Sequence, residues 1–138
     1  MGRIMGIDYG TKRVGLAVTD PERIIASRLE TVPTDQIFDY LETYLTQETV
    51  DLIVVGEPMH PDGQPAQIAH LVVGFVRRMR KQFPTVEVLT WDERFTSVEA
   101  KQIILQGGAG RKKRRDKALV DQVSAVLILE DFLKNHIW

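Results

Sequence analysis

The segment from residue 5 to residue 18 places one carboxylate, Asp8, at the end of an apolar strand and follows it with a turn and a second apolar strand. An unpaired charge is expensive to bury, so an acid here should either face a ligand at the mouth of the strand or serve the turn. Asp and Gly are ordinary turn formers, and Gly10 fits the second interpretation. Acids at comparable positions later in the chain favour the interpretation that Asp8 faces a ligand.

Composition limits the class of protein. The chain has 138 residues, 43% hydrophobic and 27% charged, with a net charge of -1. This length predicts one domain over residues 1–138 with a real core. The sequence has no long apolar run and no signal peptide, so we expect a cytoplasmic protein with no membrane partner. The absence of cysteine excludes disulfides, thiolate zinc sites and a cysteine nucleophile.

Positive charge is concentrated in residues 111–117, which follow a glycine-rich stretch and give an expected flexible loop over about 107–117. Crowded like charges suggest a polyanionic partner, with a plain solvated loop as the alternative. A second basic cluster, in residues 77–81, lies at a predicted helix C-terminus, where the helix dipole favours cations. The loop residues expected to bind nucleic acid are Arg111, Lys112, Lys113, Arg114 and Arg115.

Hydrophobic periodicity predicts a three-strand meander followed by helices that alternate with strands. Thr34 is expected to cap the first helix, and Pro84 to end the second. The expected strands are 3–8, 13–19, 23–32, 51–56 and 86–91, and the later helices are 68–83, about 96–106 and about 117–134. This order predicts an α/β protein with a five-stranded mixed sheet flanked by helices.

Two further acids stand at positions that suit chemistry. Asp92 and Glu93 follow the last strand directly, where open α/β sheets bind ligands. Asp121 lies within the final helix, too deep to cap it, on a face with Ser124 and Ala125 that could approach the sheet closely. The final helix is otherwise apolar nearly all round, which predicts a buried helix. Three acids on three elements indicate a common site.

The order of elements and the placing of the acids together give the layout of the ribonuclease H-like fold. The chain also resembles the YqgF (RuvX) family, whose members are described as Holliday junction resolvases and as pre-16S rRNA nucleases. The resemblance covers nearly the whole chain. It is carried by residues 6–15, 54–58, 62–63, 92–100 and 120–129.

The resemblance implies a metal-dependent endonuclease whose catalytic and metal-binding acids are Asp8, Glu93 and Asp121. Chemistry supports this, because phosphodiester hydrolysis needs an activated water and a stabilised leaving oxygen, which hard cations supply. Carboxylates without cysteine suit Mg²⁺ or Mn²⁺ better than zinc. The resemblance implies the 5′ region of precursor 16S rRNA as substrate, with junction DNA second and ribosomal precursor particles as further partners.

Basic and hydroxyl side chains accompany these acids. Thr11, Lys12, Arg13 and Arg94 are placed to meet phosphate oxygens, with surface solubility as the alternative role. Related resolvases act as dimers, and this sequence is compatible with a monomer or a homodimer.

The chain departs from the family pattern at Glu57, where an apolar residue is usual, and at His60, where asparagine is usual. The related resolvase RuvC has an acid at the end of the central strand, so Glu57 is a candidate fourth metal ligand or a residue with no contact. Asp92 is also ambiguous, because strand alternation sends it to the face opposite Glu93. The family motif favours Glu93.

Two other functions compete with the nuclease. An Asp-x-Gly-Thr hairpin also opens actin- and Hsp70-type ATPases, but those proteins close a second domain over ATP, and 138 residues do not provide one. The other alternative is a ribosome-assembly or transcription factor that binds RNA without cutting it. Asp121 beside a basic loop favours the nuclease over the ATPase.

Overall fold

The computed structural model describes residues 2–57, 69–92 and 117–135. The predicted helix 96–106 and all of the loop 107–117 except Lys117 lie outside them. None of the described helices is long and apolar enough to span a membrane. The strands are β1 Arg3–Tyr9, β2 Arg13–Thr19, β3 Ala26–Pro33, β4 Val50–Glu57 and β5 Glu87–Asp92; the helices are α1 Ile37–Gln47, α2 Ala69–Gln82 and α3 Lys117–Asn135, with a 3₁₀ turn at Thr34–Gln36.

The five strands form one mixed sheet in the order β3-β2-β1-β4-β5. The pairs β1–β2 and β2–β3 are antiparallel, whereas β1–β4 and β4–β5 are parallel. The parallel strands therefore end at one edge of the sheet, where ligand sites gather in α/β folds. The predicted five-stranded mixed sheet flanked by helices is confirmed.

A separate apolar core covers each face of the sheet. On one face α1 and α2 cover Ile7, Leu16 and Val55, and on the other α3 covers Ile4 and Ala17. Because side chains alternate along a strand, Asp8 belongs to the α3 face with Ile4, and Tyr9 belongs to the α1 and α2 face with Ile7. The site and the α3 core therefore share one surface of the sheet.

The third strand begins at Ala26, three residues later than expected, so the prediction of a strand from residue 23 is wrong. The Asp20 carboxylate accepts hydrogen bonds from the backbone N–H groups of Ile25 at 2.7 Å and Ile24 at 2.8 Å. Arg23 adopts a left-handed φ of 63°. These bonds, that of Ile25 first, lower the pKa of Asp20 below its ordinary value. The charged Asp20 therefore holds a tight turn where the sequence pattern predicts a strand.

The prediction that Thr34 caps the first helix is also wrong. The α1 helix begins at Ile37, and no side chain caps its N-terminus. Instead the Thr34 hydroxyl donates a 2.7 Å hydrogen bond to the Gly10 carbonyl, and the Thr34 N–H donates to the Lys12 carbonyl at 3.1 Å. Thr34 thus ties the β1–β2 turn to the start of α1.

The basic residues at the end of α2 include two with structural contacts. The Arg80 guanidinium donates hydrogen bonds of 2.7 and 3.2 Å to the Val88 carbonyl of β5. The Arg78 guanidinium carbon lies 3.8 Å from the centre of the Phe38 ring, which is a cation–π contact. These contacts support the structural interpretation of the cluster.

The α3 helix lies unusually close to the sheet, and two strand glycines make this possible. A Cβ on Gly6 would lie 2.8 Å from the Ala125 carbonyl oxygen, and one on Gly15 would lie 2.9 Å from the Asp121 Cβ and closer still to the Asp121 backbone. The helix buries one face fully rather than all sides: Ser124, Ala125, Ile128, Leu129 and Phe132 are buried, while residues 119–123 are partly exposed.

This packing predicts the effect of adding one methyl group at Gly15. Gly15→Ala should lower the free energy of unfolding by about 1–3 kcal/mol or more, because α3 must move to admit the new Cβ. The matched control is Gly74→Ala, where an added Cβ meets no described atom within 4 Å. That change should stabilise α2 by about 0.5–1 kcal/mol. Urea unfolding of both variants measures the difference, and equal stability of Gly15→Ala and wild type would contradict the close approach.

Candidate active site

The site lies where β1 ends and β2 begins. Asp8 is the Cα partner of Gly15 in the antiparallel ladder, and Thr31 is the partner of Gly15 on the other side. Partners across a ladder place their side chains on the same face. Asp8, Gly15 and Thr31 therefore form a row across three strands on the α3 face, with no side chain at its centre.

The α3 helix brings Asp121 onto this row. Since a Cβ on Gly15 would meet the backbone and the Cβ of Asp121, this residue sits directly over Gly15. Gly15 is the ladder partner of Asp8, and partners in such a ladder lie only about 4.5–5.5 Å apart at their Cα atoms. The structure thus brings together two of the three sequence-predicted acids, Asp8 and Asp121, each partly buried.

Arg13 pairs with Asp121. The Arg13 Nε donates a short hydrogen bond to Asp121 Oδ2, and the side chains are 34% and 20% exposed. Arg13 was expected to contact phosphate oxygens, and this ion pair gives it a further contact inside the site. Charge-assisted hydrogen bonds of this kind fix the orientation of both groups. Asp121 therefore has a fixed cationic neighbour from β2.

A second contact fixes the beginning of α3. The Gln122 side-chain amide donates a 3.0 Å hydrogen bond to the Thr31 hydroxyl of β3. Together with the Arg13 pair, it links two successive residues of α3 to two strands. Neither this bond nor the role of the sheet glycines is predicted from the sequence. Gly6 and Gly15 do carry a signal, because a glycine inside an apolar strand often marks a close backbone approach.

Thr11 and Lys12 lie exposed in the β1–β2 turn, which follows Asp8 and Tyr9 in the chain. Two hydrogen bonds anchor the turn: the Thr34 hydroxyl donates to the Gly10 carbonyl, and the Thr34 N–H donates to the Lys12 carbonyl. An exposed hydroxyl and an exposed ammonium therefore stand on an anchored turn at the edge that carries the acids.

The other predicted ligands have different positions. Glu57 ends β4, and because Val55 belongs to the α1 and α2 core, alternation assigns Glu57 to that face rather than to the face of Asp8. Asp92 ends β5 as the register partner of Glu57. Glu93, Arg94, His60 and the loop residues Arg111, Lys112, Lys113, Arg114 and Arg115 lie outside the described residues.

The donor set suits a hard cation better than a soft one. Asp8 and Asp121 offer carboxylate oxygens on one face, and the chain has no cysteine. Within residues 2–57, 69–92 and 117–135, no group of three or more His, Asp or Glu side chains is placed to hold a metal ion. Asp8 and Asp121 are two of the three predicted ligands, and the third, Glu93, lies beyond these ranges.

Two solved structures share the fold of this chain. Thermus thermophilus RuvC, in complex with Holliday junction substrate, matches with a TM-score of 0.59 and 19% identity, covering 97% of this chain and 96% of that one. Fowlpox virus resolvase, in complex with Holliday junction DNA, matches with a TM-score of 0.57 and 12% identity, covering 96% and 97%. At these identities the likeness shows the fold, which is ribonuclease H-like.

Curated sequence relatives share much higher sequence identity with this chain than those two structures do. A Flavobacterium johnsoniae protein is 44% identical over 135 residues, covering 98% of both chains, and a Porphyromonas gingivalis protein is 47% identical with the same coverage. Both carry the name "Putative pre-16S rRNA nuclease". Residues 2–135 match the family RuvX, described as Holliday junction resolvase. The chain belongs to the RuvX family of nucleases, with the ribonuclease H-like fold and the hydrolytic chemistry of that family.

Proposed function

We propose that this protein is a Mg²⁺- or Mn²⁺-dependent endonuclease that hydrolyses phosphodiester bonds in structured nucleic acid, with the 5′ region of precursor 16S rRNA as its preferred substrate. The observation that carries the proposal is the placement of Asp8 and Asp121 on one face of the sheet, with α3 resting on Gly15 between them. Membership of the RuvX family supports the same activity.

The proposed metal ligands are Asp8, Asp121 and Glu93. When bound, the metal would supply an activated water and neutralise charge on the phosphate. The described residues position it: β1 presents Asp8, and α3 presents Asp121 in an orientation fixed by Arg13. Glu57 is a weaker candidate, since strand alternation assigns it to the opposite face.

Substrate binding is proposed to begin at the anchored turn. Thr11 and Lys12 are exposed beside Asp8, and Arg13 enters the site from the same turn. Arginine and lysine contacts to phosphate oxygens fix the register of a nucleic-acid strand without reading its sequence. Arg94 and the basic segment 111–115 would extend this positive surface. Phosphate binding here would bring a phosphodiester to the carboxylates.

The RNA preference is supported by the name shared by relatives that match over almost their whole length. With such a substrate the protein would act in the cytoplasm, on precursor rRNA or precursor ribosomal particles. Junction DNA is the second candidate, supported by the family description. The family assignment disfavours the ATPase alternative. A measurement of cleavage distinguishes the nuclease from a factor that binds RNA without cutting it.

Cleavage of a labelled precursor 16S rRNA 5′ region by the pure protein tests the proposal. Wild type should cut it with Mg²⁺ and not with EDTA. Asp121→Asn keeps the size and shape of the side chain and a hydrogen-bond acceptor for Arg13. Folding and RNA affinity should therefore survive, while the cleavage rate falls by about 100-fold or more. Glu93→Gln should behave alike, with a double variant little worse than either single one.

The matched control is Asp131→Asn, the same change on α3 at the far end, where the carboxylate accepts a hydrogen bond from Trp91. It should leave cleavage near the wild-type rate. Full cleavage by Asp121→Asn would assign that residue a structural role, and binding without cleavage by wild type would favour the non-cleaving factor. Faster cleavage of a four-way DNA junction than of the RNA would favour the second candidate.

Metal binding should be visible without substrate. Ions that bind the folded state stabilise it by mass action, so millimolar Mn²⁺ or Mg²⁺ should raise Tm. Asp8→Asn should reduce this increase and should stabilise the metal-free protein, because it removes repulsion between carboxylates. Glu42→Gln, an exposed change on α1, should keep the full increase. Identical melting curves of wild type with and without Mn²⁺ would contradict the metal site.

The basic segment should contribute to affinity rather than to stability. Changing Arg111, Lys112, Lys113, Arg114 and Arg115 to glutamine should weaken RNA binding across sequences. It should reduce the slope of log affinity against log salt by about 0.7–0.9 for each lost phosphate contact. A control variant with Arg77 and Lys81, exposed on α2, changed to glutamine should keep the slope. An unchanged slope in the loop variant would identify a solvated loop.

A further inference from the structure

A cavity of about 420 Å³ lies on the face of the sheet opposite Asp121 and beside the same turn. Its wall includes Tyr9, the residue that follows Asp8, and Thr34, which anchors the β1–β2 turn. Strand alternation puts Asp8 and Tyr9 on opposite faces at the end of β1. A nucleic-acid strand crossing this edge could therefore meet the carboxylates with a phosphate and the cavity with an adjacent base.

Aromatic rings and an arginine line the cavity. The Tyr9 and Phe75 ring centres are 4.6 Å apart, and Phe38 packs edge-on against Phe75 at 5.4 Å. Arg78 covers the Phe38 ring at 3.8 Å. Unstacked bases bind to aromatic rings and to arginine guanidinium planes. Phe75 is buried, so the partly exposed Tyr9 ring and the exposed Arg78 guanidinium are the groups on which a flat heterocycle could stack. The volume lies within the usual range of small-molecule sites, about 300–1,000 Å³.

Gly74 opens the cavity from α2. A glycine inside a helix costs stability relative to alanine, and such a position usually has a packing reason. At Gly74 no described atom lies within 4 Å of an added Cβ, so close packing against the described residues does not explain it. Gly74 does line the cavity, so we expect a large side chain there to reduce the space. Keeping the cavity open is a role that accounts for this glycine.

The charges indicate which part of a nucleotide would enter. Asp35 and Asp39 line the cavity together with Arg78, so acids outnumber bases among its charged groups. Two carboxylates repel a phosphate, whereas they accept hydrogen bonds from the N–H groups of a base. The occupant that fits is therefore a nucleobase with its phosphate kept outside, on the side of Lys12 and Asp8.

We propose that this cavity receives one unstacked nucleobase of the substrate strand, next to the phosphate that is cleaved. The proposal rests on the nuclease function proposed above. It predicts that the enzyme prefers a strand whose base next to the cleaved phosphate is unstacked. A paired, stacked base could not enter, so the cavity would direct cleavage to unpaired or distorted segments of structured RNA.

Nucleotide binding tests the cavity without any cleavage. Adenosine and cytidine 5′-monophosphate at millimolar concentration should shift the amide NMR signals of Phe38, Gly74 and Phe75, and inorganic phosphate should not. Gly74→Leu should weaken nucleotide binding roughly 5- to 150-fold, the range for loss of one stacked base. Val73→Leu places the same leucine side chain at an exposed neighbouring position of α2 and should leave binding unchanged. Thermal melting of both variants checks the fold.

Cleavage with modified RNA connects the cavity to the reaction. Removing single bases on either side of the cleaved bond should slow the wild type at one position. Gly74→Leu should be slow on the intact RNA and show no further loss at that position. Equal shifts with inorganic phosphate, or wild-type nucleotide affinity in Gly74→Leu, would overturn the base site. So would insensitivity of cleavage to every base removal, and in that case the nuclease function would stand without the cavity.

The opposite failure is also recognisable. Nucleotide binding that Gly74→Leu abolishes, in a wild-type protein that cuts neither RNA nor junction DNA, would support the cavity as a base site and reject the proposed nuclease activity.

Discussion

The close contact between α3 and the two strand glycines is the constraint on which both the fold and the candidate site depend. Among the described elements this helix packs on one face of the sheet, and its buried side chains form the core there. The same contact sets the height of Asp121 above β1 and β2, because Asp121 lies over Gly15. A well-packed core is rigid, so a small change in this contact would move the carboxylate as a unit with the helix.

Electrostatics add a second requirement, which Arg13 meets. Carboxylates gathered on one face repel each other, and the cost grows as water is excluded. The ion pair from Arg13 to Asp121 offsets part of that repulsion. Because Arg13 begins β2, the same turn supplies both the guanidinium and, at the end of β1, the carboxylate of Asp8. Thr34 then fixes this turn against the start of α1.

Most of the sheet could be predicted because its strands are short apolar runs bounded by turn residues. The errors came from polar side chains with long-range or local partners. Thr34 has the sequence context of a cap, but its hydroxyl binds the carbonyl of Gly10, 24 residues earlier in the chain, which no local pattern reveals. The apolar residues Ile24 and Ile25 favour a strand by their sequence. Because the Asp20 carboxylate accepts hydrogen bonds from their backbone N–H groups, they belong to a turn, and β3 begins only at Ala26.

The candidate site was predictable in part for the same reason. An acid that interrupts an apolar segment, such as Asp8 or Asp121, is visible in the sequence because its burial needs an explanation. The contacts that position these acids are not visible, since they join distant residues: Arg13 to Asp121, and Gln122 to Thr31. Gly15 carried a readable signal, but only the ladder shows that it faces Asp8 and lies under α3.

The hydrogen bonds from Arg80 to the Val88 carbonyl bear on how two copies of the chain could associate. Among the described strands β5 is outermost on its side, and exposed backbone groups of an outer strand can pair with another molecule. Here a charged side chain already binds one backbone carbonyl of this strand, that of Val88. The opposite outer strand, β3, exposes Arg28 and Glu30 and ends at Pro33. Joining of two sheets into one is thus disfavoured at both outer strands of the part of the sheet that the structure describes.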